Sequence, residues 1–214
     1  MHELIDQLKT ALQNPLPGVE SHDAMMRQKR PTPAEIRDQG LPHKESAVLI
    51  LLYPKENTPH IVLTLRPSYD GVHAGQVSFP GGKVEIDDRD LIDTALREAE
   101  EEVSIKRKDV EIIGQLTELY IPPSRFIVQP VVAFSAQEPQ FSPDPVEVEK
   151  VIQTPLSRIV EDDVIREKEI FLPKYNTTIE TSYFDIDEQV VWGATAMMLS
   201  ELRSVLRQLD WQSK

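Results

Sequence analysis

The pattern of hydrophobic and polar positions divides the chain into an N-terminal extension and a main domain. Residues 1–14 carry apolar side chains at helical spacing, which predicts a short amphipathic helix. The polar, proline-interrupted stretch after it contains Thr32, which is placed to cap a helical turn from Pro33 to Gln39. We therefore expect residues 1–44 to be an extension that packs on a main domain at 45–214.

In the main domain, strand patterns are interrupted by two longer helical patterns. Apolar runs predict strands at 46–53, 60–65, 110–119, 126–135, 167–172 and 177–185. Helical spacing predicts helices from about Asp90 to Val103 and from about Glu188 to Leu209, with a helical turn at 156–160. The segment from Arg66 to Gly82 is punctuated by glycines and is predicted to be a loop. This order of elements predicts an α+β fold.

Candidate chemistry is concentrated in the helix predicted at Asp90–Val103. At 100° per residue its apolar residues form a narrow face, and Glu98, Glu101 and Glu102 form a second stripe beside that face. Like charges at this spacing repel one another by about 0.2–0.5 kcal/mol per pair. Carboxylates are hard oxygen ligands, so a divalent cation would replace that repulsion with coordination. Glu100, on another side of the helix, is expected to be an ordinary surface residue.

An acidic run on a helix is most often a solvated face, so the loop before the helix decides between two interpretations. The sequence Phe79-Pro80-Gly81-Gly82 places two glycines where the backbone can approach a phosphate or turn sharply. The order of strand, glycine turn, loop and carboxylate-lined helix favours a site that binds a cation and a phosphate. The alternative is a structural acidic helix without metal.

These residues resemble the signature of the Nudix hydrolases, G-x5-E-x7-R-E-U-x-E-E-x-G-U, in which U is aliphatic. Residues 97–105 read REAEEEVSI and match its second half, with Ser104 in place of the last glycine. Upstream, the spacing Gly82-x5-Asp88-x8-Arg97 has Asp for Glu and one additional residue. Both departures are similar to the coenzyme A pyrophosphatase branch of the family. In this resemblance Arg97 holds the loop through Asp88.

A second block, residues 62–82, is similar to the pattern LLTxR[SA]xxxRxxxGxxxFPGG of the same branch. Here Pro67 stands where Ser or Ala is usual, and Gly71 stands where a basic residue is usual. The resemblance covers roughly residues 46–206. It implies a Nudix-like α/β/α sandwich around a mixed β-sheet, to which the N-terminal helical extension is added. A Nudix motif needs this strand–loop–helix context, and the sequence predicts that context.

The resemblance also implies roles for the acidic residues of the helix. Glu98, Glu101 and Glu102 would be the catalytic carboxylates and would hold Mg²⁺ or Mn²⁺. The backbone carbonyl of Gly82 would be an additional metal ligand. Glu101 is the first candidate to orient or deprotonate the attacking water.

Other site residues follow from the same resemblance. Some family members take the general base from a loop after the signature, where this chain offers Glu147 and Glu149. Arg66 is a candidate phosphate contact, and the backbone of Gly81 and Gly82 would bind the substrate with it.

The reaction that the resemblance implies is hydrolysis of a nucleoside diphosphate linked to a further group. In the coenzyme A branch, the products would be 3′,5′-ADP and 4′-phosphopantetheine or its acyl form. ADP-ribose, NADH, nucleotide sugars and dinucleoside polyphosphates are alternative substrates, because the signature contacts only the pyrophosphate. A Nudix-fold binding module without catalysis is another alternative, and the complete set of Glu98, Glu101 and Glu102 argues against it.

Composition narrows the possible site chemistry, partners and location of the protein. The absence of cysteine excludes a disulfide framework, a thiolate zinc site, an iron–sulfur cluster and a cysteine nucleophile. Its 36 acidic and 23 basic residues give a net charge of −13, which argues against nucleic-acid or anionic-membrane partners. No apolar run approaches the roughly 18 residues of a membrane helix, and no secretory signal is recognised. We therefore expect a cytoplasmic location, with a homodimer as the default assembly.

Overall fold

A mixed sheet covered by helices on both faces is the central element of the structure. The computed structural model describes residues 1–26, 29–67, 75–172 and 176–211. The helices of this part of the chain are α1 (His2–Ala11), α2 (Val19–Asp23), α3 (Pro33–Asp38), α4 (Leu91–Val103), α5 (Leu156–Val160) and α6 (Gly193–Leu206). Its strands are β1 (Lys44–Lys55), β2 (Thr58–Leu65), β3 (Val77–Ser78), β4 (Gly81–Lys83), β5 (Glu111–Gln115), β6 (Leu119–Ile121), β7 (Phe126–Phe134), β8 (Lys150–Pro155), β9 (Ile165–Leu172), β10 (Thr177–Ile186) and β11 (Gln189–Val191). No described helix has both the length and the hydrophobicity of a transmembrane span.

Strand β1 is the centre of the mixed sheet. It pairs in parallel with β7, and it pairs antiparallel with β4 near its start and with β2 near its end. The order across the sheet is β3-β2-β1-β7-β5, with β4 beside β1, β6 beside β7 and β8 beside β2. Strands β9, β10 and β11 form a second, antiparallel sheet.

Alternate residues of β1 face opposite layers of the structure. Leu49 and Leu51 lie in the apolar cluster that contains the buried face of α4. Ile50 and Leu52 lie in the cluster that contains α1 and α6. The middle of the strand is apolar throughout because both of its faces are covered. The predicted α/β/α sandwich with a mixed sheet is confirmed.

Two helix boundaries agree closely with the local signals in the sequence. Helix α4 begins after Asp90, whose side chain accepts a hydrogen bond from Asp93 N at 2.8 Å, and it ends at Val103 as predicted. Thr32 caps α3 through a capping box with Glu35. The strands predicted at 46–53 and 60–65 are present as β1 and β2, which form the first hairpin. Those predicted at 126–135, 167–172 and 177–185 are present as β7, β9 and β10. Every boundary of these five strands lies within two residues of the prediction.

The prediction that the closing helix starts near Glu188 is wrong. Asp187 and Glu188 have φ angles of 49° and 62°, and they form the tight turn of a hairpin. Gln189–Val191 then pair with β10 as strand β11, and α6 extends only from Gly193 to Leu206. The two β-branched residues of β11 favour this strand, although Val191 also has helical spacing with the apolar residues of α6.

The structure also contains elements that the sequence did not predict. The segment predicted as a loop from Arg66 to Gly82 contains β3 and the start of β4, and β8 and α2 lie where no element was predicted. The strand predicted at 110–119 is divided into β5 and β6. Strand β8 pairs with β2, which lies about 90 residues earlier in the chain. Pairing across such a distance leaves little local signal in the sequence.

Glu201, on α6, joins the N-terminal segment to the rest of the molecule. Its carboxylate is fully buried and accepts hydrogen bonds from Gly18 N at 3.2 Å and from Thr117 Oγ1 at 2.6 Å, and His22 Nε2 lies 3.0 Å from it. Burial alone would raise the pKa of Glu201, but His22 and Thr117 outweigh that effect and the pKa is lowered. This network holds the start of α2 against α6.

Glu201→Gln should lower the free energy of unfolding at pH 7 by about 3 kcal/mol, because an amide NH₂ would replace an acceptor among several donors. The folded-state pKa of Glu201 is lowered, so its contribution is present above about pH 4.3 and is lost as the pH falls through the folded-state pKa. Urea unfolding at pH 7 and at low pH measures both effects. The exposed control Glu20→Gln should change the free energy by less than about 0.5 kcal/mol. Equal stability of Glu201→Gln and wild type at pH 7 would contradict this role.

Candidate active site

Helix α4 carries the acidic stripe and is held close to the central sheet. Its buried face includes the small residues Ala95 and Ala99, which lie in the same apolar cluster as the middle of β1. Ser104 caps its C-terminus in a left-handed conformation, with φ 61° and ψ 29°. A glycine would adopt this conformation more readily, but the Ser104 hydroxyl donates a hydrogen bond to Ser142 O at 3.0 Å. The departure from the family signature at this position therefore forms a contact of its own.

Glu102 is the most buried carboxylate of the acidic stripe, with 2% of its surface exposed. Its Oε2 accepts a hydrogen bond from Gly81 N at 3.3 Å, and its Oε1 accepts one from Arg66 Nη2 at 3.3 Å. Burial raises the pKa of Glu102 to about 7, although Arg66 and Gly81 N oppose the shift. The charges of Glu98 and Glu147 raise the same pKa, so three charged side chains and one backbone N–H act on one buried carboxylate.

The two glycines before the loop allow the backbone to contact both β1 and α4. A Cβ atom on Gly81 would lie 2.4 Å from Ala47 O, and a Cβ atom on Gly82 would lie 2.4 Å from Glu98 Cδ. At Gly81 the clash is with the backbone of β1, which leaves no room for a side chain, whereas a side chain at Gly82 would displace the end of the Glu98 side chain. The glycine turn therefore brings strand β4 directly against the acidic stripe.

Arg97 fixes the loop between β4 and α4, as the sequence suggested. Its guanidinium donates to both carboxylate oxygens of Asp88 at 2.9 and 3.0 Å, and to Lys83 O at 3.0 Å. Asp88 also accepts hydrogen bonds from Glu85 N and Thr94 Oγ1. Arg97 holds the pKa of Asp88 well below its usual range. Asp88 therefore serves as a permanently charged anchor of the loop.

The remaining nitrogen of Arg97 contacts two carboxylates of the stripe. Arg97 Nη1 lies 2.9 Å from Glu98 Oε1 and 2.9 Å from Glu101 Oε2. Burial raises the pKa of Glu98, Arg97 opposes the shift, and Glu101 and Glu147 add to it. The side chain of Glu101 is 58% exposed. Across the described ranges, no three acidic or histidine side chains are grouped closely enough to hold a metal ion in this arrangement.

A later loop brings Glu147 to the same place. Asp144 N donates to Glu102 O at 2.9 Å, and Ser142 N donates to Val103 O at 3.2 Å, so the loop is attached to the end of α4. Glu147 lines the cavity beside the acidic stripe, and its charge contributes to the raised pKa values of Glu98 and Glu102. Glu149 does not belong to the described lining of that cavity; its backbone N donates to Leu65 O instead.

A cavity of about 1290 Å³ contains these groups. The predicted site residues that line it are Arg66, Gly81, Gly82, Glu98, Glu101 and Glu102. Apolar side chains from the second sheet, from α6 and from the residue between them also line it: Ile170, Phe171, Leu172, Ile179, Trp192 and Met198. Neither Arg30, in a polar, proline-interrupted segment, nor Phe171, in a predicted strand, was identified from the sequence as a residue of this cavity. Gly71, the position that departs from the coenzyme A branch, lies outside the described residues.

Two solved structures with a similar fold are distant in sequence. A Nudix hydrolase from M. smegmatis, RenU, has a TM-score of 0.55 at 13% identity, covering 80% of this chain and 91% of that chain. A MutT protein from Methanosarcina mazei Go1 has a TM-score of 0.50 at 16% identity, covering 78% and 97%. These similarities support the Nudix fold and nothing finer.

Comparisons of the sequence indicate the same family as the fold does. The NUDIX domain family matches residues 43–175, which is more than half of the chain. A protein from Pectobacterium atrosepticum named "Uncharacterized Nudix hydrolase NudL" is 36% identical over 161 residues, 74% of this chain and 81% of that protein. A protein of the same name from Photorhabdus laumondii is 31% identical over 172 residues, 80% and 88% of the two chains. With a Nudix fold, the acidic stripe in one cavity and these matches, the chain belongs to the Nudix hydrolases and is a pyrophosphohydrolase.

Proposed function

We propose that this enzyme hydrolyses the pyrophosphate bond of coenzyme A or its acyl derivatives, releasing 3′,5′-ADP and 4′-phosphopantetheine or its acyl form. The observation that carries the proposal is the mixed lining of the cavity. The carboxylates of the acidic stripe and a set of apolar side chains that includes Phe171 and Trp192 line the same cavity. Such a cavity suits a diphosphate joined to a long organic arm. The Asp88 spacing and the second sequence block support the same substrate.

Nudix hydrolases generally use a divalent metal such as Mg²⁺ or Mn²⁺, and the donors in this cavity fit such an ion. Burial raises the pKa values of Glu98 and Glu102, the charge of Glu98 raises the pKa of Glu102, and the charge of Glu101 raises the pKa of Glu98, so a cation would relieve the repulsion within the stripe. We assign Glu98, Glu101, Glu102 and the carbonyl of Gly82 as its ligands. When bound, the cation neutralises charge on the diphosphate as the P–O bond breaks.

The chain itself supplies substrate binding and proton transfer. Arg66, a quarter exposed and anchored to Glu102, can donate to a phosphate oxygen, and the backbone of Gly81 and Gly82 lies beside it. A carboxylate of this cavity, Glu101 or Glu147, accepts the proton of the attacking water. The water oxygen forms the new bond to phosphorus, and the leaving phosphate keeps the electron pair of the broken P–O bond.

The test is to incubate the purified protein with Mg²⁺ or Mn²⁺ and a panel of coenzyme A, acyl-coenzyme A, ADP-ribose, NADH, a nucleotide sugar and diadenosine polyphosphates. Ion-pair chromatography separates the products. We expect 3′,5′-ADP from coenzyme A. Turnover only of the other compounds would make one of them the substrate in place of coenzyme A, and no turnover with intact metal binding would favour a binding module.

The domain boundary at residue 44, a homodimer and a cytoplasmic location stay predictions.

A further inference from the structure

The positive charges around the cavity are not equivalent. Arg97 contacts Asp88 and two carboxylates of the acidic stripe, and Arg66 contacts Glu102. Arg30, from the N-terminal extension, also lines the cavity, but it has no ion pair with any described carboxylate. Its Nη2 contacts Met26 Sδ at 3.3 Å, and its Nη1 is buried without a hydrogen-bond partner among the described residues.

A buried guanidinium nitrogen without a partner is unfavourable, because it has lost water and gained no acceptor. Burial lowers the pKa of Arg30, whereas neighbouring carboxylates raise the pKa values of Arg37 and Arg97. Arginine nevertheless stays protonated at neutral pH. Among the described residues that line the cavity, Arg30 and Lys83 are the two cations without an ion pair, and Arg30 differs from the exposed Lys83 in having a buried nitrogen without a hydrogen-bond partner.

A second unpartnered donor lines the same cavity. Ser124 lies in the turn between β6 and β7, and its Oγ is buried without a hydrogen-bond partner in the described structure. Arg30 and Ser124 come from segments that are far apart in the sequence. A guanidinium and a hydroxyl are both suitable donors to the oxygens of a phosphate.

We propose that Arg30 and Ser124 form an anion subsite that binds a phosphate monoester of the substrate, apart from the diphosphate that the acidic stripe acts on. The proposal deepens the proposed function, since in coenzyme A this group is the 3′-phosphate. The subsite satisfies both unpartnered donors when the substrate is bound. It also explains why the N-terminal extension contributes a charged residue to the cavity.

Kinetics with two substrates test the subsite in the active enzyme. The ratio of kcat/KM for coenzyme A to that for 3′-dephospho-coenzyme A should exceed one in the wild type and fall about 30-fold in Arg30→Met. Arg30→Lys should retain part of the ratio, and Ser124→Ala should lower it by a smaller factor. Arg125→Met, an exposed neighbour outside the described lining of the cavity, is the matched control and should keep the wild-type ratio. An unchanged ratio in Arg30→Met would overturn the proposal.

Binding without metal separates this proposal from the choice of substrate. Calorimetry in EDTA compares 3′,5′-ADP, which carries the 3′-phosphate, with 5′-AMP, which lacks it. We expect wild type to bind 3′,5′-ADP about tenfold more tightly and Arg30→Met to bind the two nucleotides equally. If this difference in binding is found but coenzyme A is not hydrolysed, the subsite is supported and the proposed substrate is rejected. Equal binding by wild type, with coenzyme A hydrolysis intact, would reject the subsite alone.

Discussion

Glu102→Gln is expected to lower kcat/KM by at least about 10³-fold. The variant keeps the volume of the side chain but removes one charged ligand of the proposed cation. Such a cation contributes several kcal/mol of charge stabilisation in the transition state, and each loss of about 1.4 kcal/mol is a tenfold loss of rate. A loss of about 4 kcal/mol therefore corresponds to about 10³-fold.

The fold should survive this substitution. The amide oxygen of Gln can still accept the hydrogen bond that Gly81 N donates to Glu102. Burial raises the pKa of Glu102 from an ordinary value of about 4.3 to about 7. The stability associated with the protonated carboxyl is therefore present below about pH 4.3 and is lost as the pH rises through about 7. At pH 8 without metal, Glu102→Gln should be at least as stable as the wild type.

Steady-state kinetics and thermal unfolding with and without Mn²⁺ check both expectations. Mn²⁺ should raise the Tm of the wild type more than that of Glu102→Gln. The control is Glu100→Gln on the same helix, where the side chain is 48% exposed and pairs with Arg107 at the surface. It should keep its activity within about twofold. Activity of Glu102→Gln within tenfold of wild type, with an equal Mn²⁺ effect on Tm, would instead support a structural acidic helix.

The acidic stripe could be predicted because its signals are local. The N-cap at Asp90, the spacing of Glu98, Glu101 and Glu102 and the small buried residues all lie within one helix. The contact between Arg97 and Asp88 could also be proposed, since both belong to one short segment of the signature. Helix geometry alone places these side chains on one surface.

The rest of the cavity depends on contacts between distant parts of the chain. Glu147 and Glu149 look alike in the sequence, but Glu147 lines the cavity, whereas the backbone N of Glu149 donates to Leu65 O, a contact between distant parts of the chain. Arg30 lies in a polar, proline-interrupted segment that reads as surface. Strand β11 was mistaken for helix because its pairing with β10 follows from the turn at Asp187, which helical periodicity does not reveal.

Glu147→Gln should lower kcat by about 10²-fold or more, which is the usual contribution of a positioned general base. Glu147 lines the cavity and raises the pKa values of Glu98 and Glu102, whereas Glu101 is held by Arg97 Nη1 at 2.9 Å and is largely exposed. Glu149→Gln is the matched control, because it removes the same charge two residues away. It should change kcat by less than about twofold.

The concentration of Mn²⁺ that gives half-maximal activity separates a base from a metal ligand. A base variant lowers kcat without changing this concentration, whereas a ligand variant raises it, because the cation binds more weakly. We expect Glu147→Gln to show the first behaviour and Glu101→Gln the second. The reverse result would return the role of base to Glu101 and make Glu147 a contributor to the metal site. Both residues line one cavity, but their contacts differ. Glu101 pairs with Arg97, whereas Glu147 pairs with none of the described basic side chains. The two variants therefore compare a paired carboxylate with an unpaired one in the same cavity.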